Sequence, residues 1–357
     1  MKILLWMNIK SHHQNFMINA LKEKGVTIKV VYYDKFPKSR TEIGWNELQV
    51  DGDFENHLDS INNFRGFLDS HSEFVHVVPG YGKFFLIKLA LLLSLKKIPW
   101  VHWSEHSSTY KCSYTYFVAK LWAALVNKYA LGAIAISNRA SRQFVDWGIF
   151  RSKIRIVPYA LPKSSVNREY WLTTNKIRFV FVGNLSVQKG IFYLIDAINI
   201  LQKSFDNIEL VLVGPDRTNG DIEKYINAHN LTDFIELMGA VPSEKVHAIL
   251  MTMDILVMPS LHDGWGATIS EAAACGIPII STDAVGASEH LVIDGYNGFV
   301  VGVRDASSLA SCMKFFMRNP ESIYVFGQRS RDLVSLFEPG IIATHMISSI
   351  DSLIKND

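Results

Sequence analysis

Short apolar runs alternate with stretches of helical periodicity along the chain, and this alternation constrains the fold more than any other sequence feature. Near-continuous apolar strands between helices are typical of parallel sheets covered on both faces. The strand-like runs of the first half are Lys2–Met7, Val26–Tyr32, Glu73–Val78, Ile98–Trp103, Gly132–Ile136 and Ile154–Val157. Those of the second half are Ile177–Gly183, Ile208–Gly214, Phe234–Met238, Asp254–Met258, Ile277–Ser281 and Phe299–Val301. Two such series predict an α/β chain with two doubly wound, Rossmann-like domains.

A polar stretch, Leu161–Trp171, separates the two series. The length of 357 residues suits two domains of about 150 residues each. We therefore expect one domain over residues 1–163, a second over residues 172–335 and a helical segment over residues 336–357. Ligands of open parallel sheets bind beyond the carboxyl ends of the strands, so the predicted site lies in a cleft between the two domains.

The sequence predicts a cytoplasmic protein. Its three cysteines, Cys112, Cys275 and Cys312, form neither a C-x-x-C pair nor a zinc-binding pattern, which indicates reduced thiols. The apolar run that follows Met1 is too short for a secretory signal. The most apolar stretch, Phe84–Leu95, is shorter than the roughly 20 residues that cross a bilayer.

Charge is distributed unevenly between the two halves. Residues 1–170 carry 23 Lys and Arg against 13 Asp and Glu, a net charge of +10, and residues 171–357 carry a net charge of −8. Either the first half meets something anionic, or the difference is sequence drift. The stretches Phe84–Lys97 and Tyr110–Lys128 border apolar faces with lysines, which suits peripheral contact with an anionic membrane or ordinary amphipathic helices with snorkelling lysines. No nucleic-acid module is recognisable, so nucleic acid is not an expected partner.

Two loops in the second half combine glycines with charged side chains. The stretch Ile177–Gly190 (IRFVFVGNLSVQKG) ends a strand at Gly183 and opens a helix at Lys189, and the next strand ends at Gly214. Glycine at a strand end permits close approach of a ligand to the backbone, and a lysine beside a helix N-terminus binds anions. Most such lysines are merely solvated, so this loop is a weak signal by itself.

The loop Asp263–Gly266 is a stronger signal, because a helix follows it directly. Gly264 and Gly266 leave the amides of Gly266–Thr268 open at the helix N-terminus, an anion-binding arrangement. Glu271 lies one turn into the helix, where a carboxylate repels phosphate but accepts hydrogen bonds from two sugar hydroxyls. Asp263 is placed to contact other hydroxyls. The plainer alternatives are a turn at Asp263 and a solvated helix face at Glu271.

From Val180 to Val301 the chain resembles the nucleotide-sugar-binding domain of retaining GT-B glycosyltransferases of family 4, the group 1 glycosyltransferases. The matching pieces are FVGNLSVQKG, LVGPD, MGAVPSEKV, DILVMPS, DGWGATISEAAACGIPIISTDAVGASE and DGYNGFVV, in the family's order and spacing. The first half is similar only in its strand–helix alternation, in Ser137 and Asn138 after a strand, and in RIVPYAL before the linker. The resemblance implies the GT-B fold, with two Rossmann-like domains across a cleft and a final helix that packs back toward the first.

The resemblance also implies roles for the matching residues. Glu271 takes the place of the second glutamate of the family's Glu-x7-Glu motif, which binds the ribose, and Asp263 that of the first, near the donor sugar. Lys189 matches the lysine that holds the diphosphate, while the backbone at Ala240 and Val241 flanks the nucleobase. The other donor-binding positions are Gly183, Asn184, Gly214, Gly264, Gly266, Ala267 and Thr268. Of these, the amides from Gly266 on cradle the distal phosphate.

Two positions depart from the family pattern. Asn184 stands where the family usually has an arginine, five positions before the lysine, so one cation of the diphosphate site is missing. Another basic residue supplies it, such as Arg217 or a Lys or Arg of the first half, or donor binding is weaker. Asp263 is one methylene shorter than the family's glutamate, which changes its reach to the donor sugar.

The first domain is expected to hold the acceptor. The family places a histidine or carboxylate near the junction of donor and acceptor after the fourth sheet strand, where this chain has His102, Glu105 and His106. Glu105 and His106 lie in the loop beyond the strand, and we predict that they act with Asp263 as catalytic residues. His102 is expected to be packed.

The resemblance, taken with these residues, implies a retaining, metal-independent hexosyltransferase without a cofactor. It moves a sugar from a nucleotide diphosphate sugar, UDP-linked in preference to GDP-linked, to a glycan or undecaprenyl-linked saccharide. By resemblance, the setting is assembly of a bacterial surface polysaccharide (lipopolysaccharide O-antigen, capsule or similar) at the cytoplasmic face of the inner membrane. The alternatives are a nucleotide-sugar epimerase of the same fold, and a non-catalytic GT-B binding module in a glycan-assembly complex.

Overall fold

The computed structural model describes residues 1–37, 49–108, 113–161 and 176–356, apart from the side chains of His12 and His13. The described chain forms two compact units. Unit 1 comprises the first three of these ranges together with residues 337–356, and unit 2 comprises residues 176–336. Residues 162–171 of the predicted linker lie outside the described residues.

The sheet of unit 1 consists of parallel strands. They are β1 Lys2–Met7, β2 Thr27–Tyr32, β3 Glu55–His57, β4 Val75–Val78, β5 Trp100–Ser104, β6 Gly132–Ala135 and β7 Ile154–Ile156. Their order across the sheet is β3-β2-β1-β4-β5-β6-β7. Each neighbouring pair is parallel, as predicted for apolar strands joined by helices.

The sheet of unit 2 has the same design. Its strands are β8 Ile177–Val182, β9 Ile208–Val213, β10 Ile235–Gly239, β11 Ile255–Met258, β12 Ile279–Thr282 and β13 Gly298–Val301. They lie in the order β10-β9-β8-β11-β12-β13, again in parallel. In both sheets the order in which successive strands are added therefore reverses at one point, between β1 and β4 in unit 1 and between β8 and β11 in unit 2. This reversal is typical of doubly wound sheets.

Helices connect the strands and cover the sheets. In unit 1 they are α1 His12–Glu23, α2 Phe64–Ser70, α3 Phe84–Leu95, α4 Tyr114–Tyr129 and α5 Asn138–Trp147. In unit 2 they are α6 Ile191–Leu201, α7 Asp221–Ala228, α8 Ser243–Met251, α9 Ala267–Ala274, α10 Ser288–Leu291, α11 Ala306–Arg318 and α12 Glu321–Ser335. The chain then returns to unit 1 with α13, Pro339–Lys355, which packs against α1. Helices α2 to α5 bury their inner sides in one apolar cluster that includes Trp6 and Trp100.

The predicted strands agree with the structure to within two residues at each end, but β3 was not predicted. Its three residues, Glu-Asn-His, contain no apolar side chain and so give no strand signal. The strand forms because it pairs with the edge of the sheet at β2, and because Glu55 is buried there with three polar partners, one of them the N–H of Asp51. The Tyr32 hydroxyl donates to Glu55 at 2.8 Å, and Lys10 Nζ lies 2.5 Å from the same carboxylate.

Across the described ranges, no helix taken singly has both the length and the apolar content to cross a bilayer. The helices α12 and α13 meet that criterion only when counted together, on length and composition alone.

Candidate active site

Glycines at the carboxyl edge of the sheet in unit 2 allow neighbouring strand ends to approach closely. Gly183 follows β8 and Gly214 follows β9, with φ angles of +151° and +139°. A Cβ atom on Gly214 would lie 1.9 Å from the carbonyl oxygen of Gly183, so no larger residue fits there. The N–H of Gly214 donates to the carbonyl of Gly239 at 2.8 Å. The backbones of these strand ends therefore pack together with no side chain between them. Ala240 and Val241 continue the chain directly after Gly239.

The loops after β8 and β11 meet where these two strands pair in the middle of the sheet. The chain winds outward from β8 on one side and from β11 on the other, so this is the switch point at which doubly wound sheets bind ligands. The N–H of Leu261 donates to the carbonyl of Gln188 at 2.8 Å, which ties the two loops together. A Cβ atom on Gly190 would lie 2.0 Å from the carbonyl oxygen of Pro259, so the crossing requires glycine.

Lys189 and Asp263 form an ion pair across the switch point. Lys189 ends a short 3₁₀ turn, and its own N–H donates to the hydroxyl of Ser186, which caps the turn. Its Nζ lies 2.5 Å from Asp263 Oδ2, and the two side chains are only 23% and 16% exposed. Two mostly buried partners hold each other in one position, so the ammonium group of Lys189 has a defined place at this edge.

The loop that carries Asp263 is held by the segment that follows β12. The N–H of Asp263 donates to the carbonyl of Ala284, and the N–H of Gly286 donates to the carbonyl of Asp263, both at 3.2 Å. A Cβ atom on Gly286 would lie 2.2 Å from the carbonyl oxygen of Gly264. The backbone of the loop therefore has its shape set by a second loop pressed against it.

Helix α9 begins beside this ion pair. Gly266, with a φ of +88°, is its N-cap, and a Cβ atom on Gly266 would lie 3.8 Å from Asp263 Cγ. The hydroxyl of Thr268 donates to the carbonyl of Val182 at 3.2 Å, which fixes the first turn of α9, including Ala267, at the end of β8. The first N–H groups of a helix have no acceptor within the helix, so this turn suits an anion.

Glu271 lies in the next turn of α9 and has a perturbed acidity. Burial disfavours its charged form and raises the pKa of the carboxyl group from 4.5 to about 7. A carboxyl group with such a pKa is poised between the forms that accept and donate hydrogen bonds at neutral pH. Perturbed groups of this kind cluster at ligand-binding sites, and the assignment of Glu271 to a ribose stays a prediction.

Asn184 is exposed directly after Gly183, and the neighbouring loop brings Arg217 close to it. The N–H of Arg217 donates to the carbonyl of Leu185 at 2.8 Å, and Leu185 also forms a parallel bridge with Asp216. The backbone of Arg217 is thereby bound to Leu185, the neighbour of Asn184, and Asn184 is the position at which the resemblance expects an arginine.

Glu105 and His106 lie in unit 1, beyond the carboxyl end of β5. The Tyr159 hydroxyl donates to Glu105 Oε1 at 2.8 Å. Burial, and next the charge of Glu105, raise the pKa of Tyr159 well above 10, so this hydroxyl remains a donor. His106, the next residue in the chain, is buried. The carboxylate of Glu105 is thus held by a residue from the end of β7.

His102 is a packed residue, as expected. It is fully buried within β5, with its ring 4.7 Å from that of Phe144 and 5.8 Å from that of Trp122. Burial lowers the pKa of His102 to about 3, so the imidazole is neutral.

Two residues that shape these edges were missed in the sequence. Gly286 and Tyr159 lie in stretches that carry the family resemblance, DAVGASE and RIVPYAL, yet neither was given a role. Their signal is positional: each follows a predicted strand, where loops of a doubly wound sheet bind ligands.

The metal-binding capacity of the described residues is limited. No group of three or more His, Cys, Asp or Glu side chains in them is arranged to hold a metal ion. The chain does contain an Asp-x-Asp triplet, Asp51–Asp53, in unit 1, where the N–H of Asp53 donates to Asp51 Oδ1 at 3.1 Å.

The second half of the chain matches a known family. Residues 166–333 fit the family model described as glycosyl transferases group 1. An uncharacterized glycosyltransferase of Methanocaldococcus jannaschii is 30% identical over 175 residues, which make up 49% of this chain and 48% of that protein. The chain therefore spans about half the length of this curated relative. These matches support a group 1 glycosyltransferase.

Solved structures resemble the chain over nearly its full length. The Anabaena protein HepE, in complex with UDP, is 17% identical with a TM-score of 0.77, and the likeness covers 98% of this chain and 99% of that one. The apo form of WaaB, a lipopolysaccharide outer core galactosyltransferase, is 15% identical with a TM-score of 0.75, over 99% of both chains. Together with the two parallel sheets, this likeness confirms the predicted GT-B fold.

Proposed function

We propose that the protein is a retaining hexosyltransferase that transfers a sugar from a UDP-sugar to a glycan or lipid-linked saccharide. The observation that carries the proposal is that the Lys189–Asp263 ion pair lies at the switch point of unit 2 beside the start of α9, the helix that contains Glu271. The match to group 1 glycosyl transferases supports the reaction class. The UDP in the Anabaena HepE structure supports the choice of nucleotide.

Lys189 and the amides of Ala267 and Thr268 are assigned to the diphosphate. A cation and the amino end of a helix both stabilise the negative charge that grows on the leaving group as its bond to the sugar breaks. These protein groups make the site metal-independent in this proposal. Arg217, held beside Asn184, supplies the second cation.

Glu271 is assigned to the ribose hydroxyls, and Ala240 and Val241 to the nucleobase. Because Gly183 and Gly214 carry no side chains, the nucleotide can lie close to the strand ends. A ribose that donates hydrogen bonds to Glu271 stabilises the ionised carboxylate, which burial otherwise disfavours.

The transfer step follows from the family resemblance. The acceptor hydroxyl attacks the anomeric carbon on the side of the leaving group, a new C–O bond forms, and the C–O bond to the diphosphate breaks. The hydroxyl proton passes to an oxygen of the departing diphosphate, so charge and atoms balance and configuration is retained. Asp263 is assigned to the donor sugar, and Glu105 and His106 to the acceptor, with Glu105 oriented by Tyr159.

A thermal-shift screen with UDP, GDP, ADP and their sugars tests the donor assignment. A ligand that binds the folded state raises its melting temperature in proportion to RT ln(1 + [L]/Kd), so we expect the largest rise with UDP and UDP-sugars. A larger rise with GDP or ADP would replace the nucleotide in this proposal. No rise with any nucleotide would reject the site.

The alternative functions give different products. A nucleotide-sugar epimerase converts the donor alone into its C2-inverted isomer, whereas the proposed transferase releases UDP only as a sugar acceptor is consumed. A binding module releases no UDP with any acceptor, although it binds the nucleotide. Chromatography of the products from donor alone and from donor with acceptor separates the three.

The surrounding pathway is part of the proposal and is supported by one comparison. The likeness to WaaB, a lipopolysaccharide outer core galactosyltransferase, supports a role in the assembly of a surface polysaccharide. In this proposal the protein works in the cytoplasm, where nucleotide sugars are supplied, on an undecaprenyl-linked or other glycan acceptor.

A further inference from the structure

Helices α3 and α4 of unit 1 lie side by side and bury their inner sides in one core. They are consecutive crossovers of β4-α3-β5-α4-β6, whose strands are neighbours in the sheet, and right-handed crossovers place both helices on the same side. Leu89 and Leu93 of α3 pack in the same apolar cluster as Trp122 and Val126 of α4. The outward sides of the two helices therefore lie on the same side of the sheet, and together they are here called the α3–α4 face.

The α3–α4 face is unusually apolar. Phe84, Leu95 and Tyr114 are 80–81% exposed, and no other large apolar side chain among the described residues exceeds 62%. Phe117 and Leu121 add a further turn of α4, at 60% and 57% exposed. Isolated exposed apolar residues are common on soluble proteins, but several strongly exposed ones on two neighbouring helices indicate an interaction surface.

Lysines border the same face, and neither of the two helices contains an acidic residue. Residues 74–145 contain nine Lys and Arg but a single acidic residue, Glu105, which lies outside both helices. Lys88 is exposed on α3 in the same stripe as Phe84 and Leu95, since positions 84, 88 and 95 recur at helical spacing. On α4, Lys120 and Lys128 are exposed.

We propose that the α3–α4 face docks on an anionic lipid surface. Protruding aromatic and aliphatic tips suit the boundary between headgroups and acyl chains, and the bordering lysines suit lipid phosphates. A basic face without apolar tips would favour nucleic acid, and an apolar face without lysines would favour a protein partner. Docking here does not depend on the proposed activity, but it would bring unit 1, which is assigned the acceptor, to lipid-linked saccharides.

Vesicle co-sedimentation of the full chain tests the proposal. We expect binding to equimolar phosphatidylglycerol and phosphatidylcholine vesicles that weakens as salt is raised, and little binding to phosphatidylcholine alone. The double variants Phe117→Ser with Leu121→Ser, and Lys88→Gln with Lys120→Gln, should each lower the partition coefficient about tenfold or more. Matched changes elsewhere, Ile200→Ser with Ile341→Ser and Lys24→Gln with Lys203→Gln, should leave it unchanged.

The outcomes separate docking from misfolding and from the donor site. Each variant must keep the wild-type melting temperature and the wild-type thermal shift with UDP, or a single lysine or apolar variant replaces the double one. Equal binding to both kinds of vesicle, or equal loss in the matched controls, would overturn the proposal. A lack of binding to the anionic vesicles would also overturn it. Concentration-dependent dimers that Phe117→Ser with Leu121→Ser abolishes would then identify the face as a contact between copies.

Discussion

At the scale of single residues, the ion pair between Lys189 and Asp263 creates a competition. The ammonium group already has an anionic partner, so in the proposed site a diphosphate must share Lys189 with Asp263 or displace the carboxylate from it. The carboxylate also repels an incoming phosphate. Asp263 therefore orders the lysine at a cost in affinity, and the two residues should behave differently when substituted.

Lys189→Ala is expected to weaken UDP binding about 10- to 100-fold, because a charge-assisted contact of about 1.5–3 kcal/mol is lost. Isothermal titration calorimetry measures this change. Lys203→Ala removes an exposed lysine of the same unit beyond the end of α6, and its affinity should match the wild type. An unchanged affinity in Lys189→Ala would remove this residue from the diphosphate site.

Asp263→Asn is expected to bind UDP as tightly as the wild type or more tightly, and to transfer sugar far more slowly. The neutral amide no longer repels the phosphates, while the contact assigned to the donor sugar is lost. Calorimetry with UDP and a UDP-release assay with acceptor give the two readouts. A parallel loss of nucleotide affinity and turnover would mean that Asp263 serves only to place Lys189.

Glu271 should make donor binding depend on pH. Its pKa is about 7, and ribose hydroxyls favour the ionised form, so the affinity for a UDP-sugar should fall about tenfold for each pH unit below 7. A UDP-sugar is the proper ligand because both of its phosphates are esterified and stay ionised. In Glu271→Gln the affinity should be lower at pH 8 and nearly independent of pH. A flat wild-type profile would contradict the assignment.

The same shift bears on stability without ligand. The folded protein holds the Glu271 proton up to a pH of about 7, whereas the unfolded chain releases it near 4.5. The folded state therefore binds more protons between these values, and this residue lowers the free energy of unfolding as pH rises through that window. Glu271→Gln should accordingly melt higher than the wild type at pH 8, with a difference that shrinks toward pH 4.5.

At the scale of the elements, the loop that starts α9 takes its shape from close backbone contact with the loop after β12. In Gly286→Ala, the new Cβ would lie 2.2 Å from the carbonyl oxygen of Gly264, and overpacking of this kind costs about 1–3 kcal/mol. We expect a lower melting temperature and weaker UDP binding, because the start of α9 moves. Gly302→Ala is the matched control, since its Cβ meets nothing within 4 Å. Equal effects in both variants would show that the loops do not constrain each other.

Strands and helices could be predicted because their signals are local. An apolar run such as Ile208–Gly214 identifies a strand by itself, and Gly266 followed by Thr268 and Glu271 identifies a helix start with a polar pattern. The strand β3 could not be predicted, because pairing with β2 rather than apolar content forms it.

Some site residues act only through distant contacts, and these could not be predicted. The glycine at 286 is required by a carbonyl 22 residues earlier in the chain, and Tyr159 meets a carboxylate 54 residues away. Neither partner can be identified from spacing in one sequence. The ion pair of Lys189 with Asp263, 74 residues apart, was missed for the same reason, although both residues had been selected.

At the scale of the whole molecule, the uneven charge places local and overall electrostatics in opposition. The half with a net charge of −8 contains the proposed diphosphate site, so binding there relies on Lys189, Arg217 and the start of α9. The half with a net charge of +10 contains the α3–α4 face. Raised salt should therefore release the protein from anionic vesicles while it changes UDP affinity much less.

The return of α13 to unit 1 predicts that the two units respond separately to disturbance. Ile350 is fully buried in α13, and Ile350→Ala should cost about 2–5 kcal/mol, all of it in unit 1. Calorimetry should show a lower melting transition for unit 1, while the transition that UDP raises stays in place. Ile341→Ala alters a residue of the same helix that is 41% exposed and should change neither transition. A fall of both transitions in Ile350→Ala would mean that the units melt together.

The position of α13 at the end of the chain also affects the order in which the two units can finish folding during synthesis. The ribosome delivers residues 176–336 as one uninterrupted run, whereas the helix that packs on α1 emerges only after all of them. The side of α1 that α13 covers therefore stays exposed on the nascent chain until the whole of unit 2 has been synthesised. We expect the nascent chain to complete its later unit first and its earlier unit last, the reverse of the usual N-to-C order of assembly.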